Sequence, residues 1–593
     1  MKIILPFLKE YKKESILAPL FKMLEAILEL FVPLVVAAVI DRGIHDQNKP
    51  YIFLLCGLLF LLALVGLGFS ITAQYFAAKA AVGTATGLRS RLFSHILSFG
   101  YQEMDAVGSD TLITRMTSDI HQLQNGINMV LRLFLRSPFV VFGAMLMAFT
   151  IDVREALIFA VVIPILFLVV FFLIAVTRPL YKKIQERLDR VLNITRENLT
   201  GVRVIRAFHR EKKEEEEFFY ANEKLTRLNK LAGRISGLTN PVTFVMINFS
   251  IIILLYTGAV RVNSGSLQQG EIVALYNYMS QILIEVIKFS NLIVTMSKAL
   301  ASMHRIEDVF KISPAMKEGS ADMDAVEKAR ESNVSGNRRT ESKTEQKQKA
   351  AVEFRQVSFR YHEGGEEAIS DISFCAAPGE IVGIIGGTGA GKSTLVNLIP
   401  RFYDAEQGEV YLFGKNVKEY RYAALRKNIA VVPQKAQLFS GTIRSNLTLG
   451  CPLASREEID EALSIAQAKE FVDKMPEKLD AVVEQGGRNL SGGQKQRLTL
   501  ARALLMKAPV LIMDDSASAL DYATDARLRA AIQKMKEKPT VFIVSQRTSS
   551  LQHADQILVL DDGKMVASGT HQELLDHCGV YREIYETQCS REA

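Results

Sequence analysis

Residues 379–399 read GEIVGIIGGTGAGKSTLVNLI: an apolar strand, a glycine-rich turn and the start of a helix. Within them, GGTGAGKS (386–393) fits the spacing G-x-x-x-x-G-K-S. Gly386, Gly387, Thr388, Gly389, Ala390 and Gly391 supply backbone N–H groups that close around phosphates at a helix N-terminus. Lys392 reaches the β- and γ-phosphates, and Ser393, with Thr394 beside it, is a hydroxyl suited to Mg²⁺. A chance glycine turn lacks this strand-before, helix-after setting, so the stretch predicts an α/β nucleotide-binding domain.

Signals on either side of the loop extend this reading. VEFRQVSFRY (352–361) alternates like a strand and places Tyr361 25 residues before the loop. An aromatic there suits stacking on adenine, although strand aromatics are more often core. VVPQKAQLF (431–439) ends a strand near Gln434, a neutral side chain that suits a metal or a water. LSGGQKQRLTLARALL (490–505) sets Leu490, Ser491, Gly492, Gly493 and Gln494 at a second helix start, again a phosphate-receiving geometry. VLIMD (510–514) delivers Asp514 to a strand end as an acid for Mg²⁺, and SALD (Ser518, Ala519, Leu520, Asp521) follows. TVFIVSQRTSS (540–550) ends its strand near Gln546.

The first half of the chain is different in kind. Of 593 residues 49% are hydrophobic, and mean hydropathy is +0.14 despite 23% charged residues. Apolar blocks near 16–40, 51–78, 127–150, 155–177, 240–262 and 271–297 each approach the roughly 20 residues a bilayer requires. The connections near 41–50, 151–154 and 262–270 are short; 79–126 and 178–239 are long and charged. Lys and Arg gather in the long loops and at the N-terminus, which predicts both termini in the cytoplasm. The net charge of +7 is therefore read as positive-inside loops. No clustered basic stripe suggests nucleic acid. The N-terminal MKIILPFLKEYKKES lacks a cleavable-leader pattern and reads as an amphipathic elbow at the inner membrane face. No protease-like segment precedes the first span, which removes one reason to favour processed peptides.

The long loops carry apolar residues at three- and four-residue spacing, so helices are expected to project beyond the bilayer. Glu25 and Glu29 share one face of the first span, and Glu285 and Lys288 lie three apart in the sixth. They read either as a weakly acidic cavity for cationic amphipaths or as local ion pairs. Pro33 and Pro164 read as packing or kink features. Residues 313–350 are polar and poor in aromatics, a linker. The five cysteines, Cys56, Cys375, Cys451, Cys578 and Cys589, form no CxxC pair and suggest neither a metal knuckle nor a disulfide framework.

In this order the soluble-half motifs resemble the nucleotide-binding domain of ABC transporters: GGTGAGKS the Walker A loop, PQ the Q-loop, LSGGQ the signature, VLIMD the Walker B strand and SALD the D-loop. The preceding half resembles the six-span membrane domain of type I (type IV) ABC exporters. The resemblance implies a half-transporter: a helical membrane domain (1–312), a linker (313–350) and a P-loop ATPase domain (351–593). It also implies two coupling segments, near 104–112 and 208–215. Two chains would enclose two ATP molecules, each held by the Walker loops of one chain and the signature of the other.

Two positions depart from the family pattern. A Glu ordinarily follows the Walker B Asp to align water, and a His ordinarily stands at the switch. Here these are Asp515 and Gln546. The shorter acid stops roughly 1.5 Å short, and about 1 Å of misplacement can cost around 10²-fold. Gln546 donates a hydrogen bond but carries no charge. With LSGGQ intact, the pattern resembles the degenerate-site subunit of bacterial heterodimeric multidrug exporters. It implies a non-identical partner half-transporter that supplies the Glu and the His. The expected activity is ATP-driven, Mg²⁺-dependent export of hydrophobic or amphipathic compounds across the cytoplasmic membrane, in contact with lipid. A nucleotide-gated channel or regulatory subunit, and a homodimeric lipid or peptide exporter, remain alternatives. Six apolar spans disfavour a soluble nucleic-acid ATPase.

Overall fold

The computed structural model describes residues 4–322, 350–362, 364–516, 520–535 and 537–592. The chain divides into two compact units. One comprises the residues up to Ser98 together with Gly108–Ile312; the other comprises Phe99–Val107 and the chain from Ser313 onward.

The first unit is helical. Among the described residues, six helical stretches are long and apolar enough to cross a membrane: Lys12–Ile44, Lys49–Leu97, Ser109–Ile151, Val153–Thr200, Glu211–Asn263 and Gln269–Lys311. The second has 49 residues, about 74 Å at 1.5 Å per residue, against a hydrocarbon core of about 30 Å. The charged loops therefore continue the spans as helix, as their periodicity predicts. Small residues let spans approach closely. The second span buries Ala73, Ala77, Ala80, Ala81 and Ala85 and packs along the first. Apolar side chains such as Phe53, Phe60 and Phe171 point outward, as a lipid-facing surface requires. The third stretch is interrupted by a π-turn at Arg115–Asp119 and by a break just before Arg136.

The expected first coupling stretch, 104–112, straddles the two units. Its early residues belong to a helix, Tyr101–Val107, in the second unit; Gly108, at φ +79°, ends that helix, and Ser109 begins the next one in the first unit. Near the second expected stretch, the short helix Val202–Ala207 gives way to a turn, and a new helix starts at Glu211.

Among its described residues, the second unit contains two sheets of more than two strands. The antiparallel one has the order β2-β1-β4-β5, from Ile369–Ala376, Val352–Phe359, Gln407–Leu412 and Lys415–Asn416. The larger has the order β12-β11-β3-β10-β9-β6, from Lys564–Gly569, Gln556–Asp561, Ile381–Gly386, Thr540–Val544, Val510–Asp514 and Ile429–Val432. Gly441–Thr442 and Val482–Val483 (β7, β8) form a separate ribbon. All pairs in the six-stranded sheet are parallel except β11/β12. Its central strands are covered on both faces, which explains why VLIMD and TVFIV are unbroken apolar runs. Ile384 aligns with Val544, Val544 with Asp514, and Val432 with Met513. The segments leaving β3, β10, β9 and β6 therefore emerge side by side at the carboxyl end of the sheet, where α/β folds collect ligands.

Residues 313–322, expected as linker, are bound to this unit. Gly319 N–H donates to the Tyr420 carbonyl at 3.1 Å, Ala321 N–H to Glu419 at 3.0 Å, and Arg421 pairs with Asp322 at 3.0 Å. Residues 323–349 of that linker lie outside the described residues.

Candidate functional site

The turn after β3 forms the floor of the site. Gly389 and Gly391 adopt φ +88° and +86°, which L side chains rarely take; a Cβ at Gly391 would also strike the Ala368 carbonyl. Helix Lys392–Leu398 follows immediately. Lys392 is 9% exposed, and its ammonium donates to the carbonyls of Gly386 (2.9 Å) and Gly387 (2.5 Å). Burial lowers its pKa, opposed by the nearby Asp515 and Asp514 charges.

Ser393 Oγ donates to Asp514 Oδ1 at 2.9 Å. Asp514 is buried at the end of β9. Burial raises its carboxyl above the ordinary value, the Ser393 bond lowers it, and the adjacent Asp515 raises it again. A hydroxyl and a carboxylate converging at this distance are a donor set suited to a hard divalent cation.

Asp515 sits at φ +46°, its N–H bonded to the Val544 carbonyl at 3.0 Å. Gln434, just past β6, donates through Nε2 to Asp515 Oδ2 at 3.4 Å. Gln546, past β10, is exposed, and its carbonyl accepts Nε2 of Gln588 at 2.7 Å. Gln588 also accepts from Thr548 N–H and Oγ1, both at 2.9 Å, so the C-terminal helix Gly579–Glu592 fixes the backbone beside Gln546. Tyr361 lies two residues past β1. Its hydroxyl is 2.9 Å from Thr394 Oγ1, and its ring meets Phe359 and Tyr403 edge-on.

The sheet ends thus gather 386–394, Gln434, Asp514, Asp515 and Gln546. The 490–494 group starts helix Gly492–Leu505. There Ser491 and Gln494 cap each other: Gln494 N–H donates to Ser491 Oγ at 3.3 Å, and Ser491 N–H to Gln494 Oε1 at 2.9 Å. Gly492 is exposed with open space around it, and Leu490 is buried. Buried Gln496 donates to the Pro433 carbonyl at 3.4 Å, tying this helix to the segment that carries Gln434. Of the SALD group, Leu520 is buried and Asp521 caps helix Tyr522–Gln533 through Thr524 N–H at 2.8 Å. Ser518 and Ala519 lie outside the described residues.

Sequence reasoning passed over the run Arg401–Asp404, which follows the phosphate-loop helix. Its arginine, aromatics and acid resemble ordinary surface and core residues, and only their fold partners reveal them. It also missed Gln588, 42 residues from Gln546.

In the membrane unit, Glu25 and Glu29 of the first span and Glu285 and Lys288 of the sixth are all paired. Lys22 binds Glu25 at 2.6 Å and Lys288 binds Glu285 at 2.9 Å. Arg136 bridges Glu285 (2.5 Å) and Glu29 (2.6 Å), and Ser137 Oγ donates to Glu285 at 2.8 Å. Glu29, Arg136, Glu285 and Lys288 sum to zero charge. Of the two readings the acids permitted, local pairing is the one observed, and Arg136 is the partner the sequence did not reveal.

Comparison with known proteins agrees with this architecture. Residues 15–286 match the family described as ABC transporter transmembrane region, and residues 369–518 match the ABC transporter family. The chain is 36% identical over 592 residues to an uncharacterized ABC transporter ATP-binding protein, YfiB, of Bacillus subtilis, covering 100% of this chain and 99% of the relative. It is 27% identical to an ATP-dependent lipid A-core flippase of Haemophilus influenzae, covering 99% of this chain and 96% of the relative. The structure of a bacterial Atm1-family ABC exporter with ATP bound superposes with a TM-score of 0.76 at 22% identity, over 98% of each chain.

Proposed function

Because this chain belongs to the ABC transporter family, as an exporter half-subunit that joins a multi-pass membrane domain to an ABC-type ATPase domain, we propose that it exports hydrophobic or amphipathic compounds as one half of a heterodimer. Its own ATP site is slow, and its signature completes a faster site on the partner. The observation that carries this reading is the pair of departures at neighbouring strand ends, Asp515 after β9 and Gln546 after β10, in a chain whose LSGGQ is intact.

Each residue has a distinct part in this reading. The 386–391 turn directs its backbone N–H groups at the phosphates, and Lys392 moves from the Gly386 and Gly387 carbonyls to the β- and γ-oxygens. Tyr361 stacks on adenine. Ser393 and Asp514, with Gln434 nearby, would hold Mg²⁺, whose charge would offset that developing on the phosphate oxygens. Asp515 engages Gln434 and falls short of aligning a water, and Gln546 contributes no positive charge at the switch. Ser491 and Gly493 receive the γ-phosphate of the partner's ATP. Differential affinity of ATP for the closed pair biases the spans between inward- and outward-facing arrangements, with both termini cytoplasmic.

The neutral ion-pair cluster and the apolar spans support a permissive, apolar substrate class, and the relative named as a lipid A-core flippase adds lipid-like amphipaths to it. That same relative, aligned along nearly the whole chain, favours the lipid branch of a second reading, a homodimeric lipid or peptide exporter.

The test is ATPase activity in nanodiscs, for the chain alone and with a co-expressed partner. A nearly silent chain and an active pair that loses activity when the partner's Glu is replaced support the heterodimer. Brisk, substrate-stimulated hydrolysis by the chain alone, abolished by Asp515→Asn, would replace it with the homodimer.

A further inference from the structure

We propose that Gln588, in helix Gly579–Glu592, is a positioning residue that lets this chain's site distinguish ATP from ADP, by holding the backbone that carries Gln546. The inference rests on the assignment of Gln546 to the switch position, facing the γ-phosphate.

β10 lies between β3, which leads into the phosphate turn, and β9, which ends in Asp514. Gln546 follows β10 by two residues, so it leaves the sheet between the phosphate cradle and the acid. An exposed side chain at such a place is aimed only as well as its backbone is held. The sheet's hold ends at Ser545, whose N–H donates to the Ile384 carbonyl at 3.1 Å. The next turn of helix begins at Thr548. Gln588 spans this gap with three bonds. Its Nε2 donates to the Gln546 carbonyl at 2.7 Å, and its Oε1 accepts Thr548 N–H and Oγ1, both at 2.9 Å. A carbonyl only accepts and a backbone N–H only donates, so the partners fix which way round the amide lies. A carboxylate at 588 would leave the carbonyl unserved, and an ammonium would leave the N–H unserved.

Other contacts hold the segment only farther on. Ser550 Oγ donates to Asp525 at 3.1 Å, and Arg529 donates to the Ser549 carbonyl at 2.8 Å. Among the described residues, the bond from Gln588 is the one hydrogen bond on Gln546 itself.

The helix that carries Gln588 is seated without it. Tyr581, Tyr585 and Gln588, at spacings of four and three, share one face. Tyr581 is fully buried with its hydroxyl 2.7 Å from His571 Nδ1, and the His571 ring meets Tyr581 and Tyr585 edge-on. Arg582 donates to the carbonyls of Leu575 (2.7 Å) and Asp576 (2.8 Å). Loss of the Gln588 amide therefore frees the backbone at Gln546 while the helix stays docked. ADP lacks the phosphate that Gln546 would meet, so the loss falls on the triphosphate.

The test is equilibrium binding to the full chain in nanodiscs, by displacement of a fluorescent nucleotide, of adenylyl-imidodiphosphate and of ADP, each with Mg²⁺. Gln588→Ala is expected to weaken adenylyl-imidodiphosphate about five- to tenfold, the worth of one hydrogen bond, and ADP by less than about twofold. Gln588→Glu keeps an acceptor for Thr548 and loses the donor to Gln546; it should match Gln588→Ala, and it decides the matter even if that variant does not fold. Gln546→Ala should lose the triphosphate to the same extent, and the double variant Gln546→Ala, Gln588→Ala should lose no more, because the second residue acts through the first. Equal weakening of both nucleotides, no weakening of either, a Gln588→Glu protein that discriminates like wild type, or additive losses in the double variant overturns the inference. Triphosphate binding unchanged in Gln546→Ala overturns the switch assignment instead, and the inference with it.

Discussion

Arg136, at the start of a helix in the third span, holds Glu285 of the sixth span guanidinium to carboxylate at 2.5 Å, with both side chains almost wholly buried. Removing one partner of such a pair leaves an uncompensated charge and typically costs about 3–5 kcal/mol. Glu285→Leu is expected to lower the thermal stability of the detergent-solubilised protein markedly. Arg136→Met combined with Glu285→Leu should recover most of that loss. The measurement is unfolding followed by tryptophan-free probes such as a thiol-reactive dye; additive losses in the double variant would show that the two charges are not coupled.

On the proposed reading, Asp515 and Gln546 set the rate of this chain's own site. Asp515→Glu extends the carboxylate by roughly 1.5 Å and is expected to raise single-turnover hydrolysis by about tenfold or more. Gln546→His should add to it. The φ of +46° at position 515 favours Asp over Glu, so part of the gain in reach is offset by backbone strain. Unchanged turnover in the double variant would mean that the limiting defect lies elsewhere.

In the assembled pair, the signature should matter more than Asp515. Ser491→Ala removes a helix cap, a cost of about 1 kcal/mol, and, on the proposed reading, a ligand for the partner's nucleotide. Steady-state ATPase is expected to fall about 10-fold or more with Ser491→Ala and less than about twofold with Asp515→Asn. The reverse order would assign turnover to this chain's own Walker site.

The acid limb of Mg²⁺-dependent nucleotide binding should move with residue 515. Asp514 has a raised pKa, through burial first and the neighbouring Asp515 charge as well. The ionised form that binds cations is therefore lost at a higher pH than for an ordinary Asp as the solution is acidified. Asp515→Asn removes one raising charge and should shift the limb to lower pH in a titration of nucleotide affinity. For folding the sign is opposite: the protonated form is the favoured one, so this group's contribution declines as pH rises through its raised value.

Tyr361→Ala should weaken ATP binding by the worth of one stacked base, about 1–3 kcal/mol, or roughly 5- to 150-fold in Kd. Tripolyphosphate affinity should be unchanged. Equal losses for both ligands would place Tyr361 in the scaffold and away from the base.

The phosphate loop, the strand ends at Asp514 and Gln546 and the six spans were legible in the sequence because each depends on local pattern: glycine spacing, apolar runs, helical periodicity. The contacts that organise them were not, because they join residues far apart in the chain. Arg136 bridges Glu29 and Glu285, 107 and 149 residues away. Tyr403 reaches Asp105 across 298 positions. A buried arginine and a core tyrosine look like any others until their neighbours are known. The polar composition of 313–322 predicts a linker; the strap is ordered through backbone hydrogen bonds to Glu419 and Tyr420, and backbone groups leave no compositional trace.

The second span runs unbroken from Lys49 to Leu97, with no proline beyond its first turn, whereas the first carries Pro19 and Pro33 inside it and the fourth Pro164 and Pro179. Like the sixth, Gln269–Lys311, which also lacks an internal proline, the second span is a single unjointed arm. At about 74 Å long, each degree of tilt at its Leu97 end displaces the Lys49 end by about 1.3 Å. The reach of this arm is thus written as a residue count: one added helical turn would lengthen it by about 5.4 Å, and its end displacement by about 0.1 Å per degree.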